Sequence, residues 1–209
     1  MNVNLSESDK IKILNSDDLY SIMQRVLLRE NKIDQDREHF WVIGLANNNR
    51  LLFIELISKG TVNSTLVKPM EVFSLALQLR AVKIMLVHNH PSGELQPSED
   101  DKDTTDRLIQ VGNIVNLQVL DHLIISQKSY LSFSDIGLMD TLRQSKKYVP
   151  TYELIAQAKE DAEKAAKQLE KIEIAKEFKR NGVADEVIAA GTGLPLEEVQ
   201  SLRVRKKNV

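Results

Sequence analysis

His88, His90 and Asp101 are the side chains of this sequence best placed to do chemistry together. They lie in the stretch Val87 to Asp101, Val-His-Asn-His-Pro-Ser-Gly-Glu-Leu-Gln-Pro-Ser-Glu-Asp-Asp. A short apolar run, Ile84-Met85-Leu86-Val87, precedes it and reads as a buried strand that ends where His88 begins. Residues two apart in an extended segment point the same way, so both imidazoles can aim at one point. Pro91, Gly93 and Pro97 break regular structure before the next helix. Ser98 opens that helix and Asp101 falls in its first turn. Two imidazole nitrogens and one carboxylate make three ligands for a divalent metal, most naturally zinc, and leave a fourth position for water. That is the arrangement of a catalytic site and not of a structural one. Ordinary readings exist for each piece. Ser98-x-x-Asp101 also fits a variant capping box, and an isolated His-x-His is common on surfaces. The combination within fourteen residues favours the metal.

The elements that must position this stretch follow from periodicity. Ser16-Asp17-Asp18 starts a helix that runs through Leu19, Ile22, Met23, Val26 and Leu27 to near Glu30 and serves as a core-facing brace. Lys32 to Glu38 is a charged connector. Phe40 to Ala46 is a strand, apolar on both faces and so central. Asn47-Asn48-Asn49 turns the chain into a return strand, Leu51 to Ile57, and Lys59-Gly60 turns it again. Pro69 begins a helix with Val72, Leu75, Ala76 and Leu79 as its buried stripe. The strand feeding His88 is next. The helix from Ser98 carries Leu108, Ile109 and Val111 and stops at Gly112. Strands at Val119 to Ser126 and Tyr130 to Phe133 complete the set. The order strand, strand, helix, strand, helix, strand, strand predicts an α/β fold, a sheet with flanking helices.

Thr151 to Asn181 holds no Gly or Pro and is rich in Ala, Glu, Lys, Gln and Leu, so it reads as one long helix capped at Asn181-Gly182. Tyr152, Ile155, Ala158, Ala162, Ala165, Leu169, Ile172 and Phe178 could share an apolar stripe, and the small alanines suit close packing against another helix. Two short helices, Asp185 to Ala190 and Leu196 to Leu202, follow across Gly191-Thr192-Gly193. Arg203, Arg205, Lys206 and Lys207 make the end basic. A helix–turn–helix for DNA is one reading. A small helical hairpin for packing or self-association is the plainer one, and a basic last turn also complements the helix dipole.

The motif His88-x-His90-Pro91, then Ser98-x-x-Asp101, resembles the JAMM (MPN+ or JAB) metalloprotease signature. The fuller string His88-Asn89-His90-Pro91-Ser92-Gly93, with Pro97-Ser98, Asp101 and Thr105, is similar to the RadC branch. Leu120-Asp121-His122 and Tyr130-x-Ser132-Phe133 continue the likeness, which covers roughly Asp36 to Leu138. The resemblance implies a mixed sheet with flanking helices of the cytidine-deaminase-like kind, here with a helical C-terminal extension. It divides the chain into an N-terminal helical segment (1–31), a RadC-like JAB/MPN domain (32–140) and the extension (141–209). It implies Zn2+ on His88, His90 and Asp101, whose water attacks a peptide or isopeptide carbonyl. It implies a general base at Glu38, two residues before Phe40, and an oxyanion donor at Ser98. Glu55 and Glu71 lack the matching context. His39 reads as a strand-end residue, and Asp121-His122 as a pair in support of the ligands.

Composition narrows the classes. The 209 residues suit one medium domain and an appendage, and 42% hydrophobic content suits a globular chain. With no cysteine, a metal must use imidazole and carboxylate. No apolar run approaches a membrane span, and Met1 to Glu7 lacks the basic start and apolar core of a signal peptide, which favours the cytoplasm and no membrane partner. A net charge of −2 gives no overall pull toward nucleic acid. Met1 to Arg37 contains no glycine and no helix–hairpin–helix pattern, which removes the usual reason to expect DNA binding in a RadC-like protein. The leading expectation is a zinc peptidase or isopeptidase. The alternatives are a nucleic-acid accessory protein of the DNA-repair type and an inactive MPN scaffold; the full ligand set argues against the last.

Overall fold

The structure, a computed structural model, describes residues 12–60 and 67–203. Two compact units divide the chain, Met1–Tyr148 and Val149–Val209.

The first unit is built on a five-stranded sheet in the order β2-β1-β3-β4-β5: β1 Glu38–Leu45, β2 Leu51–Gly60, β3 Lys83–Asn89, β4 Gln118–Ile125 and β5 Tyr130–Ser132. Only β3 and β4 run parallel; the other neighbours are antiparallel. The central strands β1 and β3 are buried along almost their whole length, as continuous apolar runs require. This is the expected α/β fold with a mixed sheet and flanking helices.

Alternation of side chains sorts the sheet into two faces. On one face Val42, Ile84, Leu86, Val119 and Ile124 pack with helices α3 (Pro69–Gln78), α4 (Glu99–Ile114) and α5 (Leu138–Arg143), through Val72, Phe73, Leu108, Ile109, Met139 and Leu142. On the other, Trp41, Ile43, Leu45, Val87, Leu123 and Ile125 pack against α1 (Ser16–Leu28), through Leu19, Ile22, Met23, Val26 and Leu27. The helical brace α1 therefore lies in the same compact unit as the sheet.

β4 carries one extra residue against β3: Ile84 pairs with Val119, but Leu86 pairs with His122. Such a bulge inverts the alternation on the bulged strand. It turns His122 onto the face of α4, where strict alternation from Val119 would have sent it toward α1.

Several expectations need adjustment. The connector at 32–38 contains a turn of helix, α2 (Lys32–Gln35), because the Asn31 side chain caps it at Asp34 N. α1 is capped by Asn15, not Ser16. β2 continues to Gly60, since β1 begins at Glu38 and offers it partners. α4 runs past Gly112 to Ile114. α5 follows Gly137 at φ 74°, in a stretch too short to show a period. Residues 1–11, which hold most of the polar N-terminus, lie outside the described residues.

In the second unit, α6 (Thr151–Arg180) is followed by α7 (Asp185–Thr192) and α8 (Leu196–Ser201). Gly182 and Gly193 take positive φ where α6 and α7 end. Ala175, Ile188, Leu194 and Val199 form a small core. Lys179 Nζ reaches the carbonyls of Val199 and Gln200 at 2.7 and 3.1 Å and closes the C-terminus of α8. Within this unit only the last third of α6 is covered: Tyr152, Ile155 and Leu169 are more than half exposed. α8 is six residues long and starts with Leu196, Glu197 and Glu198. Arg205, Lys206 and Lys207 lie outside the described residues.

Gly112 tests the packing of α4 on the sheet. A Cβ there would sit 2.6 Å from the Leu117 carbonyl and 3.3 Å from Val119 Cγ2. Gly→Ala inside a helix ordinarily gains up to about 1 kcal/mol. Here Gly112→Ala destabilises by about 1–3 kcal/mol, measured by denaturant unfolding.

Candidate metal centre

Three elements bring the site together. His88 is buried in β3, opposite Phe40 of β1 and Ile124 of β4. β3 extends two residues further than its apolar run suggests, to Asn89, so His88 is inside the strand and His90 just beyond it. The His90 N–H donates to Ile125 O at 3.0 Å, and a turn closes from Gly93 N to His90 O, also 3.0 Å. Gly93 takes φ 79°, which L side chains rarely adopt. Ser98 then caps α4. Its Oγ accepts from Asp101 N at 3.1 Å, while Asp101 Oδ2 accepts from Ser98 N at 2.8 Å and from Ser98 Oγ at 2.6 Å. The capping box and the ligand set use the same residues, so both readings of Ser98-x-x-Asp101 hold at once.

His88 Nε2 lies 3.0 Å from His90 Nε2 and 3.3 Å from Asp101 Oδ1; His90 Nε2 lies 3.8 Å from Asp101 Oδ2. One ligand atom from each of His88, His90 and Asp101 falls within 4.8 Å of the others. The ligand–ligand edge of a tetrahedral site with bonds of about 2.0–2.1 Å is about 3.3 Å, so the separations suit a single ion.

The hydrogen bonds around the site decide where its protons are. Thr105 Oγ1 donates to Asp101 O at 2.6 Å, because a carbonyl can only accept. Having spent its proton, that hydroxyl accepts from His122 Nδ1 at 2.7 Å. His122, neutral, then presents a lone pair on Nε2, which accepts from His88 Nδ1 at 2.8 Å. His88 is left with a bare Nε2 toward the site. His90 donates Nδ1–H to Glu94 O at 2.7 Å and is likewise bare at Nε2. Asp101 Oδ2 already holds two donors, so Oδ1, 3.3 Å from His88 Nε2, is the oxygen that could take a metal ion. Three acceptors without protons converge on one point, which is repulsive unless a cation lies between them.

Protonation of His88 does not relieve this at neutral pH. Burial pushes the His88 imidazolium down to about 4, outweighing the pull of Asp101 and reinforced by His90. Burial also holds His122 well below its ordinary value, with His88 and His90 adding to the effect. His90 is the member of the group most open to solvent, 14% exposed at the side chain against 3% and 7% for His88 and Asp101.

The other expected residues are placed as follows. Phe40 faces His88, with ring centroids 6.4 Å apart. Glu38 precedes Phe40 by two residues and so leaves the sheet on the same face and at the same end as His88. Ser98 stands at the metal carboxylate with its hydroxyl proton on Asp101 Oδ2. Asp121 and His122 do not pair through their side chains. The Asp121 carboxylate accepts from Ser132 Oγ at 2.5 Å and from Ser134 N at 2.9 Å, and fastens the turn after β5. Burial raises its pKa against these bonds. Sequence reasoning missed Thr105 and His122 as a proton-ordering chain. The signals were a Thr four residues after a ligand on one helix face and a lone His in an apolar strand.

Thr105→Val removes the acceptor for His122 Nδ1–H and frees His88 to carry its proton on Nε2. Zinc affinity falls about 10- to 100-fold with all three ligands in place, as read by competition with a chromophoric chelator. For the metal-free protein, His88 has a depressed folded-state pKa, so its contribution to stability is complete above its unfolded value of 6.5 and is lost as pH falls toward about 4. The thermal midpoint of the metal-free chain drops across that window, and His88→Gln flattens part of the drop.

A family model described as a RadC-like JAB domain matches residues 13–138. A UPF0758 protein of Desulforudis audaxviator is 47% identical over 103 residues, 49% of this chain and 45% of its own length. A UPF0758 protein of Staphylococcus haemolyticus is 39% identical over 133 residues, 64% and 56% of the two chains. The chain spans about half the length of these curated relatives. The match covers the sheet, helices α1 to α4 and every residue of the candidate site, and the chain belongs to the RadC-like JAB domain family.

Proposed function

We propose that this chain is a zinc-dependent metallohydrolase, a peptidase or isopeptidase that cleaves an amide bond with water. The observation that carries the reading is the convergence of two bare imidazole nitrogens and a carboxylate oxygen, each held by a neighbour that fixes its proton. His88 Nε2, His90 Nε2 and Asp101 Oδ1 would hold the ion. Zinc bound there supplies Lewis acidity, which brings a water molecule toward ionisation near neutral pH.

Glu38 takes the proton released at attack and returns it to the leaving amine. Its place on the His88 face at the open end of β1 supports this role. Ser98 donates to the oxygen that gains charge as the carbonyl becomes tetrahedral. To do so its hydroxyl must turn away from Asp101 Oδ2, and it can, because its own N–H at 2.8 Å keeps that oxygen satisfied. Such a donor contributes about 3 kcal/mol to the barrier. The partner is a peptide or an isopeptide-linked protein reaching the site past His90. Among the described residues no helix is long and apolar enough to cross a membrane.

The test is incubation of the purified chain with a proteome-derived peptide library and with lysine-branched peptides, scored by mass spectrometry for new termini. Zinc-dependent cleavage is expected. His88→Ala and Asp101→Ala lose the metal and the activity together. Glu38→Gln keeps the metal and slows cleavage by about 10²–10⁴-fold. Equal zinc content in the parent, His88→Ala and Asp101→Ala sinks the assignment. DNA binding that weakens steeply with salt, without any hydrolysis, would move the protein to the accessory class.

A further inference from the structure

The ladder between β1 and β3 ends at the pair Phe40–His88. Beyond it β3 leaves β1, since His90 N–H turns to Ile125 O of β4. The first residues of β1 stay paired with β2 but thereby lose their main-chain partner on the β3 side, at the end of the sheet where Glu38 stands. The side chain of Asn89 takes the vacant place. Its Oδ1 accepts from His39 N at 2.7 Å, and its Nδ2 donates to Arg37 O at 2.9 Å. One carboxamide thus grips the backbone on both sides of Glu38, as a neighbouring peptide group would.

The grip is rigid. Asn89 is 1% exposed and alternates with His88, so its side chain lies on the opposite face from the metal ligands. His39, also 1% exposed, shares that face, stacks on Trp41 with centroids 5.0 Å apart, and donates Nδ1–H to Arg37 O at 2.9 Å. Arg37 O therefore receives two donors and His39 N a buried acceptor. The peptide units on both sides of Glu38 are therefore held.

We infer that Asn89 is the positioning residue of the general base: by clamping Arg37 O and His39 N it fixes Glu38 against the ion carried by its own neighbours, His88 and His90. One residue, placed between two ligands, couples the base strand to the metal strand. This rests on the reading of Glu38 as the base. It goes beyond that reading, because it names what sets the distance between base and ion. A misplacement on the order of 1 Å is enough to cost about 100-fold in rate.

The full chain loaded with Co2+ tests it. The pH at which its visible spectrum changes reports loss of a proton from the solvent on the ion, and a carboxylate beside that solvent shifts it by about one unit or more. Glu38→Gln should move this pH. Asn89→Ala should move it in the same direction with cobalt stoichiometry unchanged, and the double variant no further than Glu38→Gln alone. Cleavage of the peptide library should fall about 10- to 100-fold in Asn89→Ala. If Asn89→Ala does not fold, Asn89→Asp serves: it keeps the acceptor for His39 N and repels Arg37 O, and should shift the spectrum partway. Should Glu38→Gln move the spectrum while the Asn89 variants match the parent, or should the two effects simply add, Asn89 does not position the base and Glu38 keeps its role. Should Glu38→Gln itself leave the spectrum and the rate unchanged, the base assignment fails and the inference with it.

Discussion

The structure around the site depends on the direction of three hydrogen bonds. Thr105 can give its proton only to the Asp101 carbonyl, and from that single fact the tautomers of His122 and His88 follow. The result is a nitrogen lone pair at the centre, held in place by neutral groups packed inside a core. Charge would have been a poorer anchor. A buried imidazolium costs far more than a buried imidazole. Much of the fold serves this chain. The bulge in β4 presents His122 on the correct face, and α4 carries Asp101 and Thr105 four residues apart on one side.

The capping box at α4 shows how one local rule serves two ends. A helix start needs acceptors for its free N–H groups and favours negative charge. Glu99, Asp100 and Asp101 crowd the first turn of α4, yet only Asp101 is buried. Its Oδ2 takes the donors of Ser98, and its Oδ1 turns to His88. The cap therefore aims the ligand. Without it, a carboxylate on a flexible side chain would lose rotamer freedom on meeting the ion; here that entropy is already spent when the helix forms.

What the sequence showed, and what it hid, divides by range. His88 and His90 were legible because alternation in a strand is strict, and Asp101 because a cap places its first turn. The order of strands and the brace at Ser16–Leu28 were legible from apolar spacing. His122 was legible as a supporting residue, but not its face or its bond to Thr105, because both depend on one extra residue in β4 that no periodicity announces. The α6 stripe looked continuous from Tyr152 to Phe178, yet within its own unit it is covered only near Ala175. Spacing shows which residues share a helix face, not how much of that face meets a partner. Asn89 entered only as a letter of the motif, with no role of its own. Its work is done by a side chain replacing a peptide group where two strands part, and that is visible only in three dimensions.

The surroundings of the site also bear on what the ion does for the fold. In small zinc modules the metal is the core, and the chain is unfolded without it. Here apolar layers lie on both faces of the sheet, with Val42, Leu86 and Ile124 on one side and Trp41, Val87 and Leu123 on the other. The ligands stand at one end of an assembly that these layers already hold. Ion binding therefore has little ordering to do beyond relieving the repulsion among three bare acceptors. Most of its free energy is available as affinity, and the geometry offered to the ion is set by the protein. A preformed site of this kind would keep its geometry whether or not an ion is bound.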